Sequence, residues 1–339
     1  MSTSKNFEFR RWTSASKCLF TNVNSPFSAL SAFKFFVFRG AIKIIHWHKY
    51  VSLLLVLGLV SCESEIDIIL PPPETLVVVD GTIENGQFAR VAVTKTTPYF
   101  DVINFASLAA IFITDATVIL SDGVISDTLL PVFDATQFPP YFYQGDDPAL
   151  IGQEWKTYYL TVYALGDTLT ATTSIPGAVP VDSIRWSQFG NDDSLGLGGI
   201  FFKEPDSLGN FYHLLAKRQG YPYYVTVPFQ GISNDQIGNG QYIDDFPFGR
   251  PDPVPGWFNT ATGDTIPDES GIRWRRGDTI YTKLCSIDFY SYEFLRTYDD
   301  AASSFGNPFS APTYVASNIK GGLGGFVGIG ATYSMYIVP

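Results

Sequence analysis

From residue 75 onward the chain alternates apolar and polar positions with a period of two, interrupted at roughly ten-residue intervals by turn-forming residues. Leu76 to Ile83 (LVVVDGTI) is rich in β-branched residues and runs into Asn85-Gly86, a pair that accepts left-handed backbone and so closes two-residue hairpins. Ala89 to Thr96 (ARVAVTKT) sets Val91 and Val93 on one face and Ala92 and Thr94 on the other. Val118 and Leu120 share a face in ATVILSDG, which closes at Asp122-Gly123. Tyr158 to Ile175 reads as one hairpin turning through Gly166-Asp167. Strands of this length and spacing predict an N-terminal β-sandwich of immunoglobulin or transthyretin-like architecture over 75–178. No Cys-Trp-Cys pattern marks a true immunoglobulin domain, so the prediction concerns architecture alone.

Pro176 to Pro180 (PGAVP) reads as a linker into a second β-rich domain, 181–339. Its strands are expected in VDSIRW, GGIFFKEP, NFYHLLAKR, YPYYVTVPF and DTIYTKLCSI. The period changes once. Phe289, Tyr292 and Leu295 lie at i, i+3 and i+6, which predicts one helix from about Asp288 to Ser304, capped by Ser286 or Asp288. The Gly-rich end, SNIKGGLGGFVGIGATY, predicts a strand that lets another backbone come close, or a bulge. GGLGG lacks the Lys-Ser/Thr and the following helix of a phosphate-binding loop, and is rejected as one. The expected fold class is all-β with one helix.

Upstream the pattern is different. Val51 to Val60 is an uncharged run of mostly Leu and Val, which as a helix would rise about 15 Å, too short to span a bilayer comfortably. Lys34, Arg39, Lys43 and Lys49 precede it, as in the basic region of a secretory signal peptide. Leu59-Val60-Ser61-Cys62 resembles the bacterial lipobox, in which the cysteine thiol takes a diacylglyceryl group and the chain is cut just before it. Cys62 is thus the expected lipidation site, and two or more acyl chains anchor stably. Residues 1–61 are expected to be a removed leader. Met1 and Met335 are the only methionines, so residues 1–40 reflect a non-methionine start near Val37 to Ile42 or an unusually long leader. Residues 62–74 form an acidic, Pro-rich tether.

Removing the leader changes the charge. The whole chain carries 22 basic and 33 acidic residues, a net −11. Eight Lys/Arg and one Glu lie in 1–61, which leaves 14 basic and 32 acidic residues, a net −18, on the remaining 278. So acidic a body argues against nucleic-acid binding and is repelled by anionic headgroups, which suits a tether. Cys285 reads as a buried thiol, because no histidine partner is apparent near it in sequence. His213 is the only histidine after residue 62 and no nucleophile elbow is present. Asp192-Asp193 and Asp244-Asp245 follow no calcium-loop spacing and read as solvated loops. No catalytic residue, metal or cofactor is expected, and the chain is not expected to be an enzyme.

Two aromatic groups are candidate ligand or partner contacts: Tyr221, Tyr223 and Tyr224 in GYPYYVTVPFQG, and Phe246, Phe248, Trp257 and Phe258 in DDFPFGRPDPVPGWF. The second stretch reads as a long loop. These rings either pack their own sheet, meet a neighbouring subunit, or form stacking platforms for a small ligand.

Taken in order, the lipobox with its acidic follower, LVVVDGTI, DATVILSDG, TYYLTVYALGDTLTATTSIP with VDSIRW, FKEPDSLGNFYHL, RRGDTIYTKL, NPFSAP and SNIKGGLGGF resemble one family. They are similar, over about residues 62–335, to the Bacteroidota lipoproteins classed as domain of unknown function 4249. The resemblance implies an outer-membrane lipoprotein, with Glu63, Glu65 and Asp67 similar to a surface-export signal. It also implies a TonB-dependent receptor as partner, in nutrient uptake, and supplies no catalytic residues. The expected function is a lipid-anchored, surface-facing accessory or ligand-binding protein. A structural or assembly component of the cell surface, adhesin or secretion-associated, is the alternative, and a hydrolase on the same scaffold the third reading.

Overall fold

The two strands predicted on either side of Asn85-Gly86 form a hairpin, β1 (Val77–Glu84) and β2 (Arg90–Lys95), with Gly86 at φ +77°. The structure, a computed structural model, describes residues 74–98, 104–137, 139–228, 230–236, 238–251, 257–258, 265–266, 271–304 and 314–339. The leader, Cys62 and residues 62–73 of the expected tether lie outside the described residues. A short helix, α1 (Phe105–Ala109), follows the hairpin. The strands β3 (Thr117–Ser121), β4 (Ser126–Thr128), β5 (Leu130–Phe133), β6 (Tyr141–Gln144), β7 (Thr157–Ala164) and β8 (Asp167–Ser174) complete the first half. The β7–β8 turn is made by Leu165 and Gly166, both left-handed at φ +54° and +90°, and Asp167 already belongs to β8.

The second half begins with β9 (Ser183–Gln188), β10 (Leu195–Lys203), β11 (Phe211–Arg218), β12 (Val225–Thr226) and β13 (Ile232–Asn234). It continues with β14 (Tyr242–Phe248), β15 (Trp257–Phe258), β16 (Thr265–Ile266), β17 (Trp274–Arg275) and β18 (Thr279–Ile287). One longer helix, α2 (Phe289–Ser304), precedes the last strand, β19 (Leu323–Ile337). The fold is all-β with a single substantial helix among the described residues, as the alternation predicted.

Two details of the second half depart from expectation. YPYYVTVPF contributes only the two residues of β12, because Pro222 and Pro228 bring no N–H to a ladder. The first part of DDFPFGRPDPVPGWF is a strand and not a loop. β14 is an edge strand against β10, where Pro247 is tolerated, and a register shift beside Asp245 (φ +64°) absorbs the mismatch.

The connectivity could not be read from the pattern. β19 lies between β1 and β18, parallel to β1 and antiparallel to β18, so the last strand pairs with the first. The resulting sheet runs β12-β11-β18-β19-β1-β2-β6-β5, with β13 also on β11. Segments 75–178 and 181–339 therefore share one sheet while keeping two cores. Val79, Val91, Val118, Leu160 and Phe326 belong to the first core, between this sheet and β4-β3-β7-β8. Ile200, Leu214, Phe248, Trp274 and Leu284 belong to the second, between β11/β18 and the smaller sheet around β10. On the opposite face of β18 and β19, α2 packs Tyr292, Phe294 and Leu295 over Cys285, Val327 and Ile329.

One ion pair ties the halves together. The Lys283 ammonium of β18 lies 2.5 Å from Glu84 Oε2 of β1, across β19, and Tyr333 of β19 donates its hydroxyl to Glu84 Oε1 at 2.5 Å. Burial works against the ammonium, but the neighbouring Cys285 sulfur and the Glu84 carboxylate hold its pKa above the usual lysine value. Cys285 stays a neutral thiol below about pH 12, so Glu84 is the partner that acts at physiological pH. Lys283→Met is expected to leave that carboxylate buried with one donor fewer and to destabilise the fold by about 3 kcal/mol. Adding Glu84→Gln to the same chain should recover most of the loss, and chemical-denaturation midpoints of the two variants test the coupling.

Candidate ligand-binding cleft

Four stretches far apart in sequence line a cleft of about 620 Å³: Glu154 to Thr157, Ser174 to Pro180, Lys203 to Tyr212, and Ser286 to Phe289. That volume lies within the range of small-molecule sites, roughly 300–1,000 Å³. Each wall has an identifiable local cause.

The first wall is Trp155. Its backbone N–H donates to the Ile175 carbonyl at 2.7 Å, so the chain enters β7 already registered against the end of β8. The residue sits at φ +64°, a left-handed conformation that a bulky side chain adopts only under constraint, at a strain of about 1–3 kcal/mol. Its ring lies across Gly177, where any Cβ would collide with the indole. Even so, 82% of Trp155 is exposed.

Another wall is the loop 204–210, held by two buried carboxylates. Glu204 accepts from Tyr212 Oη at 3.0 Å, Asn210 Nδ2 at 2.8 Å and the Gly240 N–H at 2.6 Å. Asp235 accepts from the N–H groups of Gly209 (2.7 Å) and Asn210 (3.0 Å). Burial, then the adjacent Glu204 charge, pushes the Tyr212 phenol far above its ordinary pKa, so it stays a donor. These carboxylates therefore position the loop.

The floor and rim come from the end of β18 and the start of α2. Ser286 stands opposite Tyr212 on the ladder and is 4% exposed, and its hydroxyl has no hydrogen-bond partner among the described residues. Asp288 is the helix cap, as predicted. One carboxylate oxygen accepts from the Ser291 N–H at 2.8 Å, and the other from Thr173 Oγ1 and the Ser174 N–H at 3.0 Å each. Phe289 is 52% exposed and leans on Phe211, with ring centroids 5.6 Å apart.

The aromatic residues singled out in the sequence lie elsewhere. Phe248 is 0% exposed and packs edge-on to Trp274, and Phe246 rests on the same core. Phe248 is thus a core residue and not a surface contact, because alternation along β14 turns it inward. Tyr224 meets Tyr333 edge-on at 5.7 Å beneath the Lys217 ammonium. Tyr221 lies under the Arg218 guanidinium. Tyr223 donates to the Thr136 carbonyl at 2.6 Å, so the stretch before β12 reaches the stretch after β5. The side chains of Trp257 and Phe258 lie outside the described residues. Trp155 was missed, and the available signal was a lone large ring in the polar turn QEWK.

A second outcome concerns His213 and Cys285, directly opposite each other on β11 and β18. Sequence distance had hidden that pairing. Burial pushes the thiol up to about 12. Burial, with the Lys283 charge second, pushes the imidazole down to about 4, and its Nε2 is engaged by Thr226 Oγ1 at 2.8 Å. Between those values both groups are neutral, so the pair supplies no thiolate. Among the described residues no group of three or more His, Cys, Asp or Glu side chains could hold a metal ion.

A family profile matches residues 63–334, most of the chain and all four walls of the cleft. The chain belongs to the family described as Domain of unknown function (DUF4249). No curated protein matches it. Family membership brings no assigned activity, so the cleft has to be read from its own chemistry.

His213 gives a pH prediction. Its folded pKa lies below the ordinary value near 6.5, so between about pH 6.5 and 4 the unfolded chain binds the extra proton. Stability should therefore fall as pH drops through that window, by up to about 3 kcal/mol. Urea midpoints at pH 7 and pH 4.5 should converge in His213→Gln, which keeps a partner for Thr226 without the titration.

Proposed function

We propose that this DUF4249 chain is a lipid-anchored, surface-facing binding protein that presents its cleft to a ligand on behalf of a TonB-dependent nutrient importer. The observation that carries the reading is the cleft itself. It joins a strained, exposed Trp155 to a second exposed ring, Phe289, over a wall fixed by Glu204 and Asp235. Large rings held rigid before binding give contact area at little entropic loss. The leader ending just before Cys62 supports the anchor, and the net −18 of the remaining chain supports a body held away from anionic headgroups. The importer is what the resemblance of the sequence motifs implies.

The test is a mild-detergent purification of the tagged protein from its native membrane, beside Cys62→Ala. Wild type is expected to carry acylation on Cys62 by mass spectrometry and to bring down a TonB-dependent receptor in near-stoichiometric amount. Cys62→Ala is expected to lose the acylation and leave the membrane fraction. Wild type recovered with adhesin or secretion components in place of a receptor would transfer the assignment to surface assembly.

A further inference from the structure

We infer that the cleft takes a neutral, polyhydroxylated ring ligand, a pyranoside, stacked on the face of Trp155. This rests on reading the cleft as a ligand site and adds the chemical class.

The first observation is the ring. A pyranose presents C–H groups on its faces and hydroxyls around its edge. The faces meet the electron-rich face of an indole, whose quadrupole is negative there. Trp155 offers such a face, 82% exposed at a left-handed position, and Gly177 leaves room beneath the ring. Phe289 offers another on the same cleft.

The second observation is the kind of polar group available. Thr157 and Ser174 pair hydroxyl to hydroxyl at 2.8 Å, and Asn210 Oδ1 receives only the Ser207 hydroxyl, at 3.4 Å. Hydroxyls both donate and accept, and the carboxamide oxygen accepts. A ligand edge made of hydroxyls satisfies such a lining. A proline-rich peptide offers mainly carbonyl acceptors and would leave Asn210 Oδ1 and the Glu154 carboxylate without new donors.

The third observation is charge. Lys203 is committed to the Gly240 carbonyl and lies 3.6 Å from Asp206, and both oxygens of Asp288 are occupied by donors of the chain itself. No uncommitted cation faces the cleft among the described lining residues, and the surrounding body is strongly acidic. An anionic sugar would be repelled, and a cationic ligand would find no unoccupied carboxylate at the rim except Glu154, which accepts only a long bond from Asn85 at 3.3 Å.

The experiment is saturation-transfer NMR with calorimetry on the purified full chain. The probes are maltohexaose, cellohexaose, xylohexaose and mannohexaose, with a galacturonate hexamer and a proline-rich decapeptide as the other arms. At least one neutral hexasaccharide is expected to show transfer to its ring C–H protons. Its Kd should rise at least about tenfold in Trp155→Ala, and measurably in Phe289→Ala. Both side chains are exposed, so thermal melting should show the variants folded. Binding confined to the galacturonate or the peptide, and lost in Trp155→Ala, would overturn the neutral-sugar class while keeping the cleft as a ligand site. No binding by any probe would overturn both.

Discussion

The constraint on which the structure depends is the close passage of β19 along the end of β8. Gly328 takes its place by donating its N–H to Thr173 Oγ1 at 2.8 Å, and any Cβ there would run into the Ser174 carbonyl. Two residues on, a Cβ at Gly330 would run into the carbonyl oxygen of Pro176. Backbone against backbone at this range is possible only for glycine. Because β19 also separates β1 from β18, the same contact fixes where the first strand sits relative to the last and how the two cores share one sheet.

The cleft follows from that passage. With Ser174 and Pro176 held against β19, the PGAVP segment cannot drift away from the sheet, and Asp288 fastens the start of α2 to the same end of β8 through Thr173 and Ser174. Trp155, bound to the Ile175 carbonyl, is then carried to the rim on one side, and the loop pinned by Glu204 and Asp235 closes the other. The polar network that stabilises this corner thus also places the binding surface. It is satisfied almost throughout, the Asn239 carboxamide oxygen and the Ser286 hydroxyl being buried without a partner.

How much of this the sequence disclosed depends on the range of the interaction. Local rules sufficed for the β1–β2 hairpin, the inward Val118 and Leu120, and the capped helix from Asp288, since each rests on turn chemistry or periodicity within a few residues. Position 78 pairing with 323, and His213 meeting Cys285, rest on strand order, which alternation leaves open because every strand has the same period. β14 was hidden for a different reason. Its Pro247 argues against a central strand, and only the knowledge that it lies at an edge removes the objection. The cleft was hidden most completely, being assembled from four separate stretches that only the strand order brings together. Composition drew attention instead to the densest aromatic stretches, of which Phe248 is spent on the core.

The position of Trp155 finally bears on why a strained residue persists beside so well-bonded a corner. A left-handed tryptophan is unfavourable in isolation, and an exposed indole returns little burial energy. Relieving the strain would be simple, since a glycine would adopt φ +64° without penalty. What a glycine cannot supply is a large flat surface resting on Gly177, in a cleft that Phe289 also lines. Fixing the ring before the ligand arrives moves its ordering entropy into folding, where the β19–β8 contact and the buried carboxylates already hold both walls. The strain is thus a small local term set against the hydrogen bonds and close backbone contacts of the whole corner.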